Sequence, residues 1–345
     1  MTGEWSDLQS TRPGGTELSP YVALLDQSRA LVLSMENGGD NVAGEILDLS
    51  TGTAATIAES PLRWRAFAMV GWTGEEVIVT GGSNGPGIDA AGAAYDPSTD
   101  SWRQISDPPG FVPGLSENQA IGPGVWTGTE LISWQSSLAY NPSTDTWRDI
   151  TPSPLAPRMD EAVTATNGDL LVWGGCDRVV PNCDDALEAP LTDGALYDPE
   201  TDSWTVLPAS PLGGGAGALA VDTTWNDSVI IVVPHSTAPG APTVAAIDPT
   251  SLEWTDLPSL PDEAAKRASA LVWTGTHVIS WGGYTESYER ETDAGFMLNP
   301  VLGQWRPIQP GGGARRGHTA IWTQHGLLVA GGSPTSQPAL FTPSS

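Results

Sequence analysis

The stretch YDPSTDSW at residues 95–102 decides the fold, because versions of it recur along the chain. The other versions are YNPSTDTW at 140–147, YDPETDSW at 197–204, IDPTSLEW at 247–254 and LNPVLGQW at 298–305. Their tryptophans follow one another at intervals of 45 to 57 residues. A period of about 50 residues indicates a repeated supersecondary unit that is longer than a leucine-rich or ankyrin repeat.

The composition of each unit predicts four short strands. Asp-Pro or Asn-Pro followed by Ser, Thr or Asp forms a turn between two strands, and the Trp that follows covers the next unit. Upstream lies an apolar strand that ends in two glycines, which let backbone segments approach closely. These strands are EEVIVTGG, DLLVWGG, HVISWGG and GLLVAGG, ending at residues 82, 175, 283 and 332. The unit therefore comprises strands a and b, a loop, strand c, the Asp-Pro turn and strand d.

Two weaker units bring the count to seven. GEILDLSTGTAATIA at 44–58 has Ala54 where the other units have Trp, and PALFTPSS at 338–345 supplies a strand c with no strand d after it. GEWSDLQ at 3–9 supplies the missing strand d. The seven outer strands are then expected near Trp5, Ala54, Trp102, Trp147, Trp204, Trp254 and Trp305. Units three and five lack the paired glycines and are expected to be looser.

This pattern resembles the kelch repeat of bacterial kelch-like proteins and of the central domain of galactose oxidase, and the resemblance covers essentially the whole chain. It implies an all-β fold: one domain over residues 1–345, a seven-bladed β-propeller of four-stranded antiparallel blades. The N-terminal strand d with Trp5 would close the ring by pairing with the C-terminal strands, which removes exposed sheet edges. Copper-radical chemistry is not expected, because both cysteines lie in one loop.

Charge and cysteine content bound the function. The net charge of −27 argues against binding of nucleic acid or anionic membranes. No apolar run approaches the ~20 residues that span a bilayer. Cys176 and Cys183 share one polar loop, which favours a disulfide in an oxidising compartment; two free thiols are the alternative, and a metal site is disfavoured because no histidine lies nearby. We predict an extracellular or periplasmic monomer whose signal peptide has been removed.

The basic residues indicate where a ligand binds. Eight of the 14 lie in connections from strand d to the next strand a, which share one face with the b-to-c loops. Cations there would attract anions. Trp64 alone fits no repeat position and is suited to stacking on a sugar. The predicted ligand-binding residues are Arg63, Trp64, Arg65, Arg158, Arg267, Arg315 and Arg316. Two alternatives stay open: each Arg before strand a bonds backbone between blades, and Trp64 packs on a neighbouring blade.

Candidates for catalysis are few. They are His318, Asp160, Glu161 and Tyr284, with a structural role for His318 as the alternative because it occupies a recurrent repeat position. The sequence contains no nucleophile elbow, phosphate-binding loop or zinc spacing, and no cofactor is predicted. The acidic b-to-c loops at 176–192 and 284–294 leave bound Ca²⁺ as an alternative to simple solvation.

These observations favour a secreted or envelope-associated protein that binds an acidic carbohydrate or a carboxylate-bearing peptide at the Arg-rich mouth of the channel. The first alternative is a carbohydrate-active enzyme, because kelch-like propellers include sialic-acid mutarotases and related propellers carry out polysaccharide lysis. A lyase would use Arg158, Arg267 and Arg316 with His318 or Tyr284. The second alternative is a protein-interaction scaffold of the kelch adaptor type.

Overall fold

The strands form a ring of seven blades. The computed structural model describes residues 2–11, 20–34, 41–83, 91–109, 124–177, 191–213, 218–233, 242–264, 269–284, 290–334 and 337–344. Across these ranges there are thirty strands and no helix. Seven four-stranded antiparallel sheets form the blades, and β14 and β17 form a small additional sheet. The all-β, seven-bladed prediction is therefore confirmed.

The strand bounds follow, from strand a to strand d in each blade. Blade one has β2 (Tyr21–Leu24), β3 (Arg29–Ser34), β4 (Ala43–Asp48) and β5 (Thr53–Thr56); blade two has β6 (Met69–Trp72), β7 (Val77–Thr80), β8 (Ala93–Asp96) and β9 (Ser101–Gln104). Blade three has β10 (Val125–Trp126), β11 (Leu131–Ser133), β12 (Leu138–Asn141) and β13 (Thr146–Asp149); blade four has β15 (Ala162–Thr166), β16 (Asp169–Trp173), β18 (Gly194–Asp198) and β19 (Ser203–Val206). Blade five has β20 (Leu219–Asp222), β21 (Val229–Val232), β22 (Val244–Ile247) and β23 (Trp254–Asp256); blade six has β24 (Ala270–Trp273), β25 (Val278–Trp281), β26 (Gly295–Asn299) and β27 (Gln304–Ile308). Blade seven has β28 (Thr319–Thr323), β29 (Gly326–Ala330), β30 (Ala339–Pro343) and β1 (Gly3–Asp7), and the extra sheet has β14 (Arg158–Met159) and β17 (Cys176–Asp177).

Blade seven closes the ring as the sequence predicts. Strand β1 pairs antiparallel with β30 over five residues, and Trp5 lies opposite Phe341. The degenerate blade one has the expected register, because Leu47 lies opposite Ala54 as Tyr95 lies opposite Trp102 in blade two.

Blade three departs most from the repeat. Its strands a and b have only two and three residues, and residues 134–137 form a tight turn in place of the paired glycines.

The tryptophans of strand d join neighbouring blades. Six indole N–H groups each donate a hydrogen bond of 2.7–3.2 Å to a carbonyl just beyond strand d of the preceding blade. The pairs are Trp5 with Gln309, Trp102 with Ala58, Trp147 with Ser106, Trp204 with Thr151, Trp254 with Pro208 and Trp305 with Pro258. These bonds give a reason for Trp at this position, because Phe has no N–H group to donate.

The junction between blades seven and one lacks this bond because Ala54 replaces Trp. The buried carboxylate of Glu45 joins these two blades instead. It accepts hydrogen bonds from the Ser10 hydroxyl at 2.7 Å, the Thr11 backbone N–H at 2.8 Å and the Thr11 hydroxyl at 2.9 Å. Hydrogen bonds to an ionised group are stronger than neutral ones, so one carboxylate can replace the indole.

In the YDPSTDSW motif, the Tyr and the second Asp form a hydrogen bond, and the Asp also contacts the preceding blade. In blade two the Tyr95 hydroxyl donates to Asp100 at 2.8 Å, and the same carboxylate oxygen accepts the Ala58 N–H of blade one at 2.7 Å. Tyr140 with Asp145 and Tyr197 with Asp202 repeat the arrangement. The hydrogen bond from Tyr197 lowers the pKa of Asp202. The motif thus specifies a turn and a contact between blades.

Candidate functional site

The connections from strand d to strand a contain the predicted ligand-binding arginines. They share one side of the ring with the b-to-c loops, which we call the loop face; the a-to-b and c-to-d turns form the turn face. Arg65, Arg158 and Arg315 are buried, with at most 1% of their surface exposed. Each donates through Nη1 to the carbonyl of a glycine sixteen residues later, at 3.0–3.1 Å. The acceptors are Gly81, Gly174 and Gly331.

The same guanidinium groups bind the start of strand c. Arg65 donates to the Ala91 carbonyl at 2.7 Å, and Arg315 to the Gln337 carbonyl at 2.9 Å. Arg158 donates to the carbonyl and the carboxylate of Asp193 at 3.0–3.2 Å. Within its own blade, each Arg therefore joins the incoming connection to the end of strand b and the start of strand c. The three arginines therefore bond backbone groups as the structural alternative proposes, but within one blade and not between blades.

The paired glycines allow this packing. A Cβ on Gly82 would lie 2.7 Å from the Ala66 carbonyl oxygen, and one on Gly175 would lie 2.6 Å from that of Met159. Lys266 precedes Gly282 by the same sixteen residues in the sequence. The predicted ligand residue Arg267 lies outside the described residues.

The residue two positions after the buried Arg adopts a left-handed backbone in three blades. The φ angles are 57° at Phe67, 56° at Asp160 and 58° at Gly317. Glycine accepts this conformation without strain, whereas a bulky side chain there is an outlier. Phe67 is also 75% exposed on the loop face. The sequence analysis did not identify Phe67. Aligning the repeats on Arg65 and Arg315 would have shown that Phe67 occupies the position of Gly317.

Arg63 and Trp64 lie beside Phe67 in the same connection. Arg63 is exposed and Trp64 is half-buried. The Arg63 backbone bridges to Asn41, and its carbonyl accepts the Nε–H of Arg65 at 3.1 Å. Its guanidinium forms no ion pair with any residue in the described ranges. The segment 63–67 thus presents a cation and two aromatic rings on an anchored backbone.

Arg316 lies in a second group on the loop face, between blades six and seven. Its Nη1 pairs with Glu291 at 2.6 Å, and its guanidinium lies 5.0 Å from the centre of the Tyr284 ring. Tyr284 and Glu291 form a β-bridge. The structure therefore brings together two of the predicted site residues, Arg316 and Tyr284, with a carboxylate.

His318 lies below this group in the interior. Its ring packs edge-on against Trp281 at 4.9 Å and is only 7% exposed. Burial and the positive charge of Arg315 lower the pKa of His318 to about 3. Neither ring nitrogen forms a hydrogen bond of standard geometry with the described residues. A neutral imidazole without access to the surface fits the structural alternative.

The carboxylate candidates lie in blade four. Glu161 accepts hydrogen bonds from the Trp134 indole at 3.2 Å and the Gln135 amide at 2.7 Å, so it joins blades three and four. Asp160 is exposed. No group of three or more His, Cys, Asp or Glu side chains could hold a metal ion in the described part of the chain.

The disulfide prediction falls partly outside the described residues. Cys176 is buried in β17 opposite Met159, and Cys183 lies in the range 178–190 that is not described. The pairing of these cysteines stays a prediction. Among the described residues, no helix is long and apolar enough to cross a bilayer.

Comparison with known proteins agrees with this geometry. Over 188 residues, which are 52% of this chain, the sequence is 32% identical to the kelch-like protein terF of Aspergillus terreus (strain NIH 2624 / FGSC A1156). This chain is a kelch-type seven-bladed β-propeller. The matched part of this kelch-type chain spans about 40% of the curated relative's length.

Solved structures support the fold of the kelch-type chain. The structure of YjhT superposes with a TM-score of 0.56 at 15% identity, covering 98% of this chain and 95% of that one. At that identity the likeness concerns the fold alone. No family model matches the sequence.

Proposed function

We propose that this kelch-type propeller binds an anionic ligand on its loop face, at the segment 63–67. The observation that carries the proposal is Phe67, which is 75% exposed and left-handed where blade seven has glycine. A left-handed backbone costs about 1–2 kcal/mol for a residue with a Cβ. Residues held in such conformations cluster at functional sites. Contact with a ligand would explain an exposed Phe held in a strained conformation, because little of its ring is buried in the fold.

The charge around Phe67 supports an anionic ligand. Arg63 is exposed without an ion pair to a described residue, while the protein as a whole carries a net charge of −27. The net charge disfavours anions over the surface as a whole, so an exposed cation without a described ion-pair partner attracts them locally. Trp64 and Phe67 follow Arg63 in the same connection, one half-buried and the other exposed. A carboxylate on Arg63 and an apolar ligand face on the rings would satisfy all three side chains.

The backbone of the segment 63–67 is held in place before a ligand binds, which favours tight binding. Arg65 lies between Trp64 and Phe67 and holds the backbone through bonds to Arg63, Gly81 and Ala91. A site that is rigid before binding loses less entropy when it binds. The ligand class is an acidic carbohydrate or a carboxylate-bearing peptide, met in an extracellular or periplasmic compartment by a monomeric protein.

The test compares two left-handed positions. We expect Phe67→Gly to weaken binding of the best ligand from an acidic glycan array and an acidic peptide array by about tenfold or more. The matched control, Asp160→Gly, changes the same backbone position in blade four and should leave affinity unchanged. Arg63→Gln should weaken binding and reduce its salt dependence. Full affinity in both Phe67→Gly and Arg63→Gln would contradict the proposal.

A second candidate function rests on the group formed by Arg316, Tyr284 and Glu291. In a lyase, a base removes the C5 proton of a uronate while the C4–O bond to the neighbouring sugar breaks; a C4=C5 double bond forms and the departing oxygen takes up a proton. The protein must supply a cation that neutralises the carboxylate and the base. Arg316 lies 5.0 Å from the Tyr284 ring, so both requirements could be met there. Incubation with acidic polysaccharides should then produce an unsaturated product that absorbs ultraviolet light, and Tyr284→Phe should abolish it. Absence of the product would leave binding as the function.

A further inference from the structure

A cleft of about 820 Å³ lies between blades seven and one, lined mainly by turns of the turn face. It runs from Trp322 at the inner strand of blade seven to Gly52 in the c-to-d turn of blade one. Small-molecule sites in proteins typically measure about 300–1,000 Å³. The cleft contains no residue of the segment 63–67, so it is independent of the proposed function.

The equivalent place between blades three and four is filled by charged side chains. Arg148, the residue after the Trp of strand d, pairs with Glu130 at 2.6 Å in the a-to-b turn. It also reaches blade four, where it donates to the Tyr197 hydroxyl at 3.2 Å and lies 3.6 Å from Asp202. Arg103 and Glu76 repeat the ion pair in blade two at 2.6 Å. These groups occupy the space between blades on the turn face.

Small residues replace this network beside the cleft. The strand registers place Ser6 where blade three has Arg148, and Gly326 where it has Glu130. In blade one, Leu47 and Gly52 stand where blade four has Tyr197 and Asp202. The cleft is therefore open because the side chains that fill it elsewhere are absent.

The remaining lining is polar and largely neutral. It contains the indole of Trp322, the amides of Gln9 and Gln324, and several Ser and Thr hydroxyls. Leu8 and Leu49 provide an apolar base. Among the described residues that line it, the ionisable side chains are Asp7 and His325. Such a set offers hydrogen-bond donors and acceptors and one aromatic face, with little to balance a charged ligand.

We propose that this cleft binds a neutral carbohydrate of a few sugar units. Hydroxyl and amide side chains match sugar hydroxyls, and the indole of Trp322 would pack against the C–H face of a ring. A charged ligand would meet a single carboxylate in a strongly acidic protein. A peptide would instead pair its backbone with β1, the edge strand whose Ser6 and Asp7 line the cleft, so neutral peptides are the competing ligand class in the test.

The test refills the cleft with the residues found elsewhere in the ring. Ser6→Arg with Gly52→Asp would recreate the Arg148–Asp202 pair. Gly52 has a φ of 73°, the Asp at its place in blades two to four has a φ of 49–52°, and a Cβ on Gly52 would meet Leu8 at an ordinary 3.7 Å. We expect this double variant to weaken binding of neutral oligosaccharides at least tenfold by titration calorimetry, while its melting temperature is unchanged or higher. Trp322→Ala should weaken binding similarly.

The control is Thr205→Arg, which adds the same side chain after the Trp of blade four, away from the cleft. It should leave oligosaccharide affinity unchanged. The panel comprises neutral gluco-, manno- and galacto-oligosaccharides of two to four units, with neutral peptides of similar size beside them. Failure of every oligosaccharide to bind at millimolar concentration, binding of peptides alone, or full affinity in the double variant would overturn the proposal. None of these results depends on the acidic ligand of the loop face.

Discussion

The connections that enter blades two and seven share one backbone and differ in the side chains it presents. Arg65 and Arg315 make the same buried bonds, and the residue two positions later has φ near 57° in both. Around these fixed points blade two has Phe67 exposed, whereas blade seven has Gly317. The comparison separates buried residues that stabilise the blade from exposed residues on its surface. Only the second group is informative about ligands.

At neutral pH, the largest expected effect concerns the buried arginine itself. Arg65→Ala would leave the Gly81 and Ala91 carbonyls without their donor, so we expect a loss of about 3–4 kcal/mol in the free energy of unfolding. Arg63→Ala, two residues away and exposed, should change it by less than about 0.5 kcal/mol. Urea denaturation of both variants measures the difference. Equal, small effects would show that the buried bonds do not support the blade.

A second prediction uses His318, whose place in blade two is taken by Ala68. Its pKa is about 3 in the folded protein, below the ordinary value of 6.5, so the unfolded chain binds the proton first. The contribution of His318 to the free energy of unfolding is fully present above pH 6.5 and is lost as the pH falls from 6.5 towards 3, on the order of 4–5 kcal/mol. In His318→Ala, the melting temperature should fall less steeply between pH 6.5 and pH 3 than it does in the wild-type protein. If the pH dependence of the melting temperature were unchanged in this variant, other groups would be responsible for the loss of stability in acid.

The smallest predicted effect comes from substitutions at the two left-handed positions, Phe67 and Gly317. Phe67→Gly should stabilise the fold by up to about 1 kcal/mol through relief of the left-handed backbone, and Gly317→Ala should destabilise it by about as much. Thermal unfolding of the two variants checks the opposite signs. If Phe67→Gly instead destabilised the protein markedly, Phe67 would be part of the blade and the proposed site would lose its main support.

The fold could be predicted from sequence because its determinants are local and repeated. The Asp-Pro turn, the following Trp and the paired glycines recur, and Trp5 could be assigned to blade seven by counting strands. Blade five follows the repeat less closely: strand a ends at Trp72, Trp126 and Trp273 in blades two, three and six, whereas Trp225 lies in the turn after β20, which ends at Asp222.

The site was less predictable, because the role of an arginine depends on acceptors that sequence alone does not place. Arg65, Arg158 and Arg315 looked like ligand residues as much as Arg63 did. The constant spacing of sixteen residues to a glycine, visible in the sequence, distinguishes them once the carbonyl acceptors are known. The burial of His318 likewise depends on Trp281, from another blade.

The closing pair of strands has a consequence for how this protein can be re-engineered. The Ser344 N–H donates to the Thr2 carbonyl at 2.9 Å, so the first and last described residues are neighbours in one sheet. In a chain trimmed to residues 2–344, a short linker between these two residues would make the polypeptide circular, and a new start could then be opened in any connection. Such circular permutants should keep the same seven blades, because position around the ring is set by contacts between blades and not by the order of synthesis.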